Sequence, residues 1–283
     1  QPGDPDVSRR LAATLASLTL LVGSGAAFAS GDEGPDDGGR KAGEKTRVLV
    51  FSKTAGFRHP SIPVGIAAIE ELGAANGFEV VATEDSNAFR GPYLRRFDAV
   101  VFLLTTGDVL DDRRQLSLKR FIKRGGGYAG IHSAADTEHE WPYYGGIVGA
   151  RFKSPPVQQT ASFGNEAPDN PATRHLPERF SVFDEFYSFN RNPRPFVRVL
   201  LTIDESTYSP DPNTTNLPGG TPSTGVMGDH PMAWCHTRLG SRSFYTALGH
   251  EPYLYGLDWF RKHILAGIQY AAGDIDANCK PRG

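Results

Sequence analysis

At 283 residues, 39% hydrophobic and 22% charged, the chain has ordinary globular composition and is long enough for one large α/β domain, with two full domains possible but not demanded. The net charge of -2 gives no basic footprint for nucleic acid and no polybasic anchor for a membrane, so the expected partner is a small neutral molecule. Counts of 32 Gly and 21 Pro point to many loops, and an aromatic content of 11% leaves rings for stacking on the apolar face of a ligand as well as for the core.

In chain order, Arg9-Arg10 precede an apolar segment, Leu11 to Val22, and Ala27-Phe28-Ala29 before Ser30 fits a signal-peptidase site. Residues 1–29 read as a signal peptide, too short for a convincing membrane span. The expectation is a protein secreted from a bacterium, with no membrane attachment in the mature form; a buried N-terminal helix is the alternative. Residues 30–45 are Gly, Asp, Glu and Lys with almost nothing apolar, a disordered leader. The folded domain is expected over 46–273 and a tail over 274–283.

Arg47 to Ser52 is an uninterrupted apolar run of the kind that suits a central parallel strand covered on both faces. It ends in the polar loop Lys53 to His59, and a helix follows from Ile62 to Ala75, with Ile62, Ile66, Ile69 and Leu72 on one face and Asn76-Gly77 as its stop. Phe78 to Thr83 and Asp98 to Leu104 read as two more strands, the latter ending in Thr105-Thr106-Gly107-Asp108. A helix from Asp111 to Lys123 leads to Gly125-Gly126-Gly127-Tyr128-Ala129-Gly130-Ile131-His132-Ser133-Ala134-Ala135-Asp136. There a fourth strand makes a sharp turn that projects His132. Strand, loop and helix alternating with short connections predict a doubly wound parallel sheet.

After Asp136 the pattern changes. Trp141 to Gly146 reads as a turn-rich aromatic loop that could stack on a sugar ring or equally pack on the domain, and Val157–Phe163, Phe180–Phe189 and Val197–Ile203 as strands of an antiparallel extension. Pro210 to Gly228 has no periodicity and reads as a mobile loop. Pro231–His236 and Ser243–Ala247 form a hairpin about Leu239-Gly240, and a last helix runs from Leu257 to Ala272. Cys235 and Cys279, the only cysteines, could pair in an oxidising compartment and tie the tail to the domain; sequence leaves a disulfide and two free thiols both open.

His59, His132, Asp108 and Asp136 all fall just after predicted strands, so one edge of the sheet should gather them. In a strand, Glu185 and Tyr187 would share a face, and His230 and His250 sit at loop junctions. A carboxylate and an imidazole converging on one pocket can share proton transfer, and three such groups can hold a divalent ion such as zinc. No short ligand motif fixes a metal, and no phosphate-binding glycine loop follows the first strand. Lys53 and Arg58 could orient a polar ligand. His139, His175 and His263 lack the strand-end setting and read as structural.

At these residues the chain resembles the ThuA-like (trehalose utilisation) family of the class I glutamine amidotransferase-like superfamily. The resemblance runs from about Arg47 to Gly273. It rests on Phe51 to His59, Thr105 to Asp108, Gly125 to Thr137, Trp141-Pro142-Tyr143, Asp184 to Tyr187 and Asp229-His230-Pro231. It implies a flavodoxin-like sheet and a link to sugar catabolism, including routes through 3-keto-sugars. His132 stands where the superfamily carries a cysteine nucleophile, so glutamine hydrolysis is not expected. Similar sequences usually read Lys-Ser-His-Pro where this one has Lys153-Ser154-Pro155-Pro156.

The expectation is therefore a carbohydrate-active enzyme that cleaves or isomerises a glycoside or 3-keto-sugar. His132 would be base or ligand, Glu185 its acid/base partner and Asp136 the group that fixes an imidazole tautomer. His59, His132 and His250 are the metal-ligand candidates. Lys53, Arg58, Asp108, Trp141, Tyr143 and Tyr187 are expected to contact the sugar, the aromatic loop at Trp141 as its platform. The alternative is a non-catalytic sugar-binding or scaffold protein on the same fold.

Overall fold

The computed structural model describes residues 44–210 and 225–282. The expected signal peptide, residues 30–43 of the leader and residues 211–224 of the Pro210–Gly228 loop lie outside the described residues.

In chain order the elements are β1 (Arg47–Phe51), α1 (Ile62–Asn76), β2 (Glu79–Thr83), α2 (Gly91–Leu94), β3 (Ala99–Leu103), α3 (Asp112–Lys123) and β4 (Gly127–Ile131). There follow α4 (Pro142–Val148), β5 (Phe152–Ser154), β6 (Gln159–Asn165), β7 (Arg179–Asp184), β8 (Ser188–Phe189), β9 (Arg198–Ile203), β10 (Pro231–His236), β11 (Ser243–Thr246) and α5 (Asp258–Ala272). One sheet runs β2-β1-β3-β4-β11-β10-β9-β6-β7. Its first five strands are parallel and the remaining pairings antiparallel. This is the flavodoxin-like doubly wound sheet with an antiparallel extension. The hairpin β10–β11 is the joint, its outer strand closing the parallel half against β4 and its inner strand opening the antiparallel half.

The strand sequences explain the layering. Val48 to Phe51, Ala99 to Leu103 and Gly127 to Ile131 are buried at every position, as expected of parallel strands with helices on both faces. Apolar positions of α1 at Ile62, Ile69 and Leu72 are buried. Its left-handed Gly77 (φ 81) returns an N–H to the Gly73 carbonyl and stops the helix. Asp111 caps α3 by accepting from Arg114 N. Phe51, Phe89 and Phe102 pack edge to face at 4.7 to 5.6 Å and fill the layer between sheet and helices.

Two readings change. The segment after Trp141 is a helix, α4, with Trp141 at its N-cap and Pro142 in its first turn; a proline there costs no hydrogen bond, and the Gly-Gly pair is carried inside the helix. The expected strand from Phe180 to Phe189 breaks after Asp184 and resumes only at Ser188, so Glu185 to Tyr187 is a connection free to turn inward. The short α2 and β5 carry no periodicity long enough to read.

Cys235 and Cys279 form a disulfide, Cα–Cα 5.2 Å, across a separation of 44 residues. It ties the tail after α5 to β10. Closing a loop of that length is worth about 4 kcal/mol by the chain-entropy account. Cys279→Ser should therefore lower the melting temperature, and reductant should lower that of the wild type but not of the variant. A second prediction concerns Gly127 at the start of β4, where a Cβ would lie 1.9 Å from the carbonyl oxygen of Ala271 in α5. Because that neighbour is backbone, Gly127→Ala should cost about 3 kcal/mol, read from the denaturant midpoint.

Candidate functional site: a three-histidine, one-glutamate cluster

The site is built outward from the end of β4. Immediately after Ile131 the chain turns, and His132 takes φ 51, a left-handed conformation that costs a residue with a Cβ about 1 kcal/mol or more. Neighbours hold it there. Tyr245 Oη donates to the His132 carbonyl at 2.8 Å, Tyr144 Oη to Ala134 O at 2.9 Å and Thr137 Oγ1 to Ser133 O at 3.2 Å. The turn ends at Glu138, also left-handed at φ 54, whose buried carboxylate accepts from Val109 N and Leu110 N at 2.8 and 2.7 Å. The turn after β4 is thus locked to the loop after β3.

The imidazole is oriented as tightly as the backbone. His132 Nδ1 donates to the carbonyl of Ala247, the residue after β11, at 2.7 Å, which fixes the tautomer and turns Nε2 into the site. Tyr187 lies over the ring, centroids 4.2 Å apart. Nε2 meets Glu185 Oε2 and His250 Nδ1, each at 3.3 Å, and His250 Nδ1 is itself 3.3 Å from the same Glu185 oxygen. His59 completes the group, its ring centroid 5.0 Å from His132 and 5.1 Å from His250 and its Nδ1 3.4 Å from Ser133 Oγ.

Each partner is delivered by a different device. His59 closes the loop after β1, which is sewn to the loop after β3 by Ala55 N to Thr106 O at 2.7 Å and Thr106 Oγ1 to Phe57 O at 2.8 Å. His250 follows Gly249, whose φ of 116 favours glycine. The buried Asp184 carboxylate clasps that turn, accepting from Gly249 N at 2.8 Å and Glu251 N at 3.0 Å. Asp184 and Glu185 are adjacent in the chain, so one carboxylate anchors the His250 turn while the next faces the histidine. Gln158 lies beside the far side of that ring, its Nε2 3.1 Å from His250 Nε2.

Electrostatics follow from this packing. Burial, and after it the nearby His132 and His250, push His59 down to about 2, so it is a neutral lone-pair donor. Burial alone would raise Glu185, but hydrogen bonds to His132 and His250 outweigh it and hold the carboxyl down to about 2. Burial lowers His250, yet its hydrogen bond and charge contact with Glu185 leave it above its ordinary value. Burial raises Asp184 to about 6, against the two backbone donors it holds.

Those contacts make a cation test. Lone pairs of His132 Nε2 and Glu185 Oε2 do not attract one another; at 3.3 Å a proton or a metal ion has to stand between them. All four side chains offer one ligand atom within 4.8 Å of one another. The 3.3 Å separations match the edge of about 3.3 Å that a tetrahedron with 2.0–2.1 Å bonds requires. Three imidazoles and one carboxylate are a donor set that suits zinc or a similar divalent ion. With its amide turned over, Gln158 would accept from His250 Nε2–H and free Nδ1 as a ligand. The residues fit a metal.

Other expected positions land elsewhere. Asp136 does not set the His132 tautomer, which Ala247 does; its carboxylate is 2.7 Å from His139 Nε2, an adjacency that turn geometry decides. Arg58 is exposed and paired with Glu84 at 2.7 Å, so its charge is spent on a neighbour. Trp141 lies flat against Tyr144 and beside Tyr143, and Lys119 covers Tyr143, so the expected sugar platform is used in packing. Tyr187 is buried against His132 and Phe152 as a support. Asp108 is exposed at the rim and Lys53 half-buried. His230 stays outside the cluster, Nδ1 2.9 Å from Glu205 and Nε2 donating to Tyr187 O at 2.9 Å, and so braces Tyr187. His175 and His263 donate to the carbonyls of Trp259 and Ala172. Sequence reading missed Asp184, Gln158, Tyr245 and the Ala247 carbonyl; only Asp184, next to Glu185, stood in a stretch already singled out.

The fold is shared with solved structures. A protein described as ThuA-like from Bacteroides uniformis superposes with a TM-score of 0.64 at 18% identity, covering 82% of this chain and 94% of that one. One from Parabacteroides merdae gives 0.63 at 16% identity, covering 84% and 93%. The cytoplasmic protein STM1381 from Salmonella typhimurium gives 0.53 at 11%, covering 80% and 99%. No curated protein matches the sequence. The family model for trehalose utilisation, ThuA, matches residues 47–271, a span that runs from the start of β1 into the last turn of α5 and holds all four clustered side chains, and the chain belongs to the ThuA family.

Proposed function

We propose that the protein is a carbohydrate-active enzyme that cleaves or isomerises a glycoside or 3-keto-sugar at the cluster of His59, His132, Glu185 and His250, with a divalent metal ion held by those side chains. The observation that carries this reading is the convergence of four ionisable side chains from four chain segments on a histidine whose backbone is held in a costly conformation. Strain maintained by so many contacts is characteristic of functional sites. Membership of a trehalose-utilisation family supports a sugar as substrate, and the disulfide supports export to an oxidising compartment.

The ion would supply Lewis-acid polarisation of a carbonyl oxygen. The chain's own residues supply the rest. In a 3-keto-sugar the C2–H is acidified by the ketone, and its removal sets up loss of the substituent at C1 or migration of the double bond. Glu185, ionised and buried, is the candidate base. With Nδ1 of His250 given to the ion, the proton that Glu185 takes up is the one available to return to the departing oxygen. His132 stays fixed by Ala247, and Tyr187 shields it from water.

A binding or scaffold protein is the second reading, favoured by one feature. Similar sequences usually carry a histidine where Pro155 stands, and in this neighbourhood an uncharged amide, Gln158, meets His250.

Three outcomes test the proposal. His132→Ala should reduce turnover of 3-oxidised disaccharides by about 10²- to 10⁴-fold while the sugar still binds, in an assay run with and without added divalent ions; a binding protein would show no turnover to lose. Zinc should bind the wild type at one ion per chain by elemental analysis and raise its melting temperature, an effect expected to vanish in His132→Ala and His250→Ala. Asp184→Ala leaves two buried N–H groups unpaired at about 1–3 kcal/mol each. It should also weaken metal affinity by about 10- to 100-fold, seen by competition with a chelating dye, although Asp184 offers the ion no ligand.

A further inference from the structure

A cleft lies at the other end of the parallel strands. Gly91, Leu94, Arg95, Ser117, Arg120, Phe121 and Arg124 line a cleft of about 120 Å³ between α2 and α3. Arg95 leads into β3 and Arg124 into β4, so the cleft opens at the N-terminal ends of the strands, whereas His132 follows the C-terminal end of β4.

The charge arrangement is what requires explanation. Among the described residues the side chains of Arg95, Arg120 and Arg124 have no acidic or hydrogen-bonding partner. The chain is not short of acids, with 32 against 30 basic residues, and several arginines elsewhere are paired with one: Arg47 with Glu79, Arg194 with Glu166 and Arg261 with Glu71. Arg120 lies in the last turn of α3 and Arg124 is its C-cap, where the helix dipole favours a cation, but that does not explain why Arg95, from another element, joins them on one cavity. Such grouping raises the local positive potential, and guanidinium forks match the oxygens of a tetrahedral oxyanion. The floor is apolar, since Leu94 and Phe121 are buried. Gly91 lies at the wall of the cleft: a Cβ there would make only ordinary contact, 3.8 Å from Arg95 Nη1 and 3.9 Å from Ser117 Oγ, so a longer side chain at this position would reach into the space.

We infer that this cleft binds a small phosphate or sulfate ester, its oxyanion among the three arginines and its carbon portion on Leu94 and Phe121. The site is independent of the histidine cluster and of any activity there.

Isothermal titration at constant ionic strength tests it, with inorganic phosphate, inorganic sulfate, glucose 6-phosphate, glucose 6-sulfate and glucose as separate arms on the full chain. At least one oxyanion should saturate at one site with a Kd of about 1 mM or below, and neutral glucose should not compete there; whichever of the phosphate and sulfate arms binds more tightly identifies the source. R95Q/R124Q should weaken that binding by at least about tenfold. G91L, which fills the cleft without changing charge, should do the same. Absence of saturable binding in every oxyanion arm, or binding that survives either variant, would overturn the inference. The zinc response of the histidine cluster is expected to be unchanged in R95Q/R124Q.

Discussion

The hydrogen bond from His132 Nδ1 to the Ala247 carbonyl is the constraint on which the site depends. It joins the ends of two neighbouring parallel strands, β4 and β11, and exists only because β11 inserts beside β4 although more than a hundred residues separate them in the chain. With Nδ1 occupied, Nε2 has one direction to face, and Glu185 and His250 are placed around it. The left-handed backbone of His132 and the Tyr245 hydroxyl on its carbonyl make the same choice for the main chain that Ala247 makes for the ring.

Around that bond the protein has concentrated charge in a region that penalises it. Three imidazoles and a carboxylate are buried or nearly so, and their proton affinities are driven apart. His59 is stripped of proton affinity by burial and by its fellow histidines, while Glu185 is kept ionised by hydrogen bonds that burial alone would oppose. A set of side chains divided in this way either shares protons or holds a cation, and the 3.3 Å contacts suit both. Asp184 supports the arrangement from outside by securing the turn on which His250 is mounted, and His230 does so through the backbone of Tyr187.

Much of this was legible in the chain. Apolar runs at Val48 to Phe51 and Ala99 to Leu104, with helices of clear period between strands, identified the parallel half, since short-range burial patterns survive translation from sequence to structure. The hairpin around Leu239-Gly240 and the strand-to-helix turn at His132 were equally visible, because glycine and turn chemistry act over a few residues. Asp136 and Trp141 misled for a related reason. Both lie in the right neighbourhood, but which way a side chain turns from an irregular segment is decided by contacts such as His139 and Tyr144 rather than by spacing. Glu185 reached the cluster by another route than expected, through a break in a strand rather than its alternation.

By itself, then, the sequence determined the order of the strands and long helices of the first half, its parallel class, the family and the residue types able to carry chemistry, all properties set by local pattern and side-chain identity. Tertiary structure alone decided that the Glu185 oxygen, the His132 nitrogen and the His250 nitrogen meet at 3.3 Å, that Ala247 sets the tautomer and that Cys235 finds Cys279. Those outcomes depend on long-range strand pairing and on the packing of segments far apart in the chain, which no residue encodes until its distant neighbour is in place.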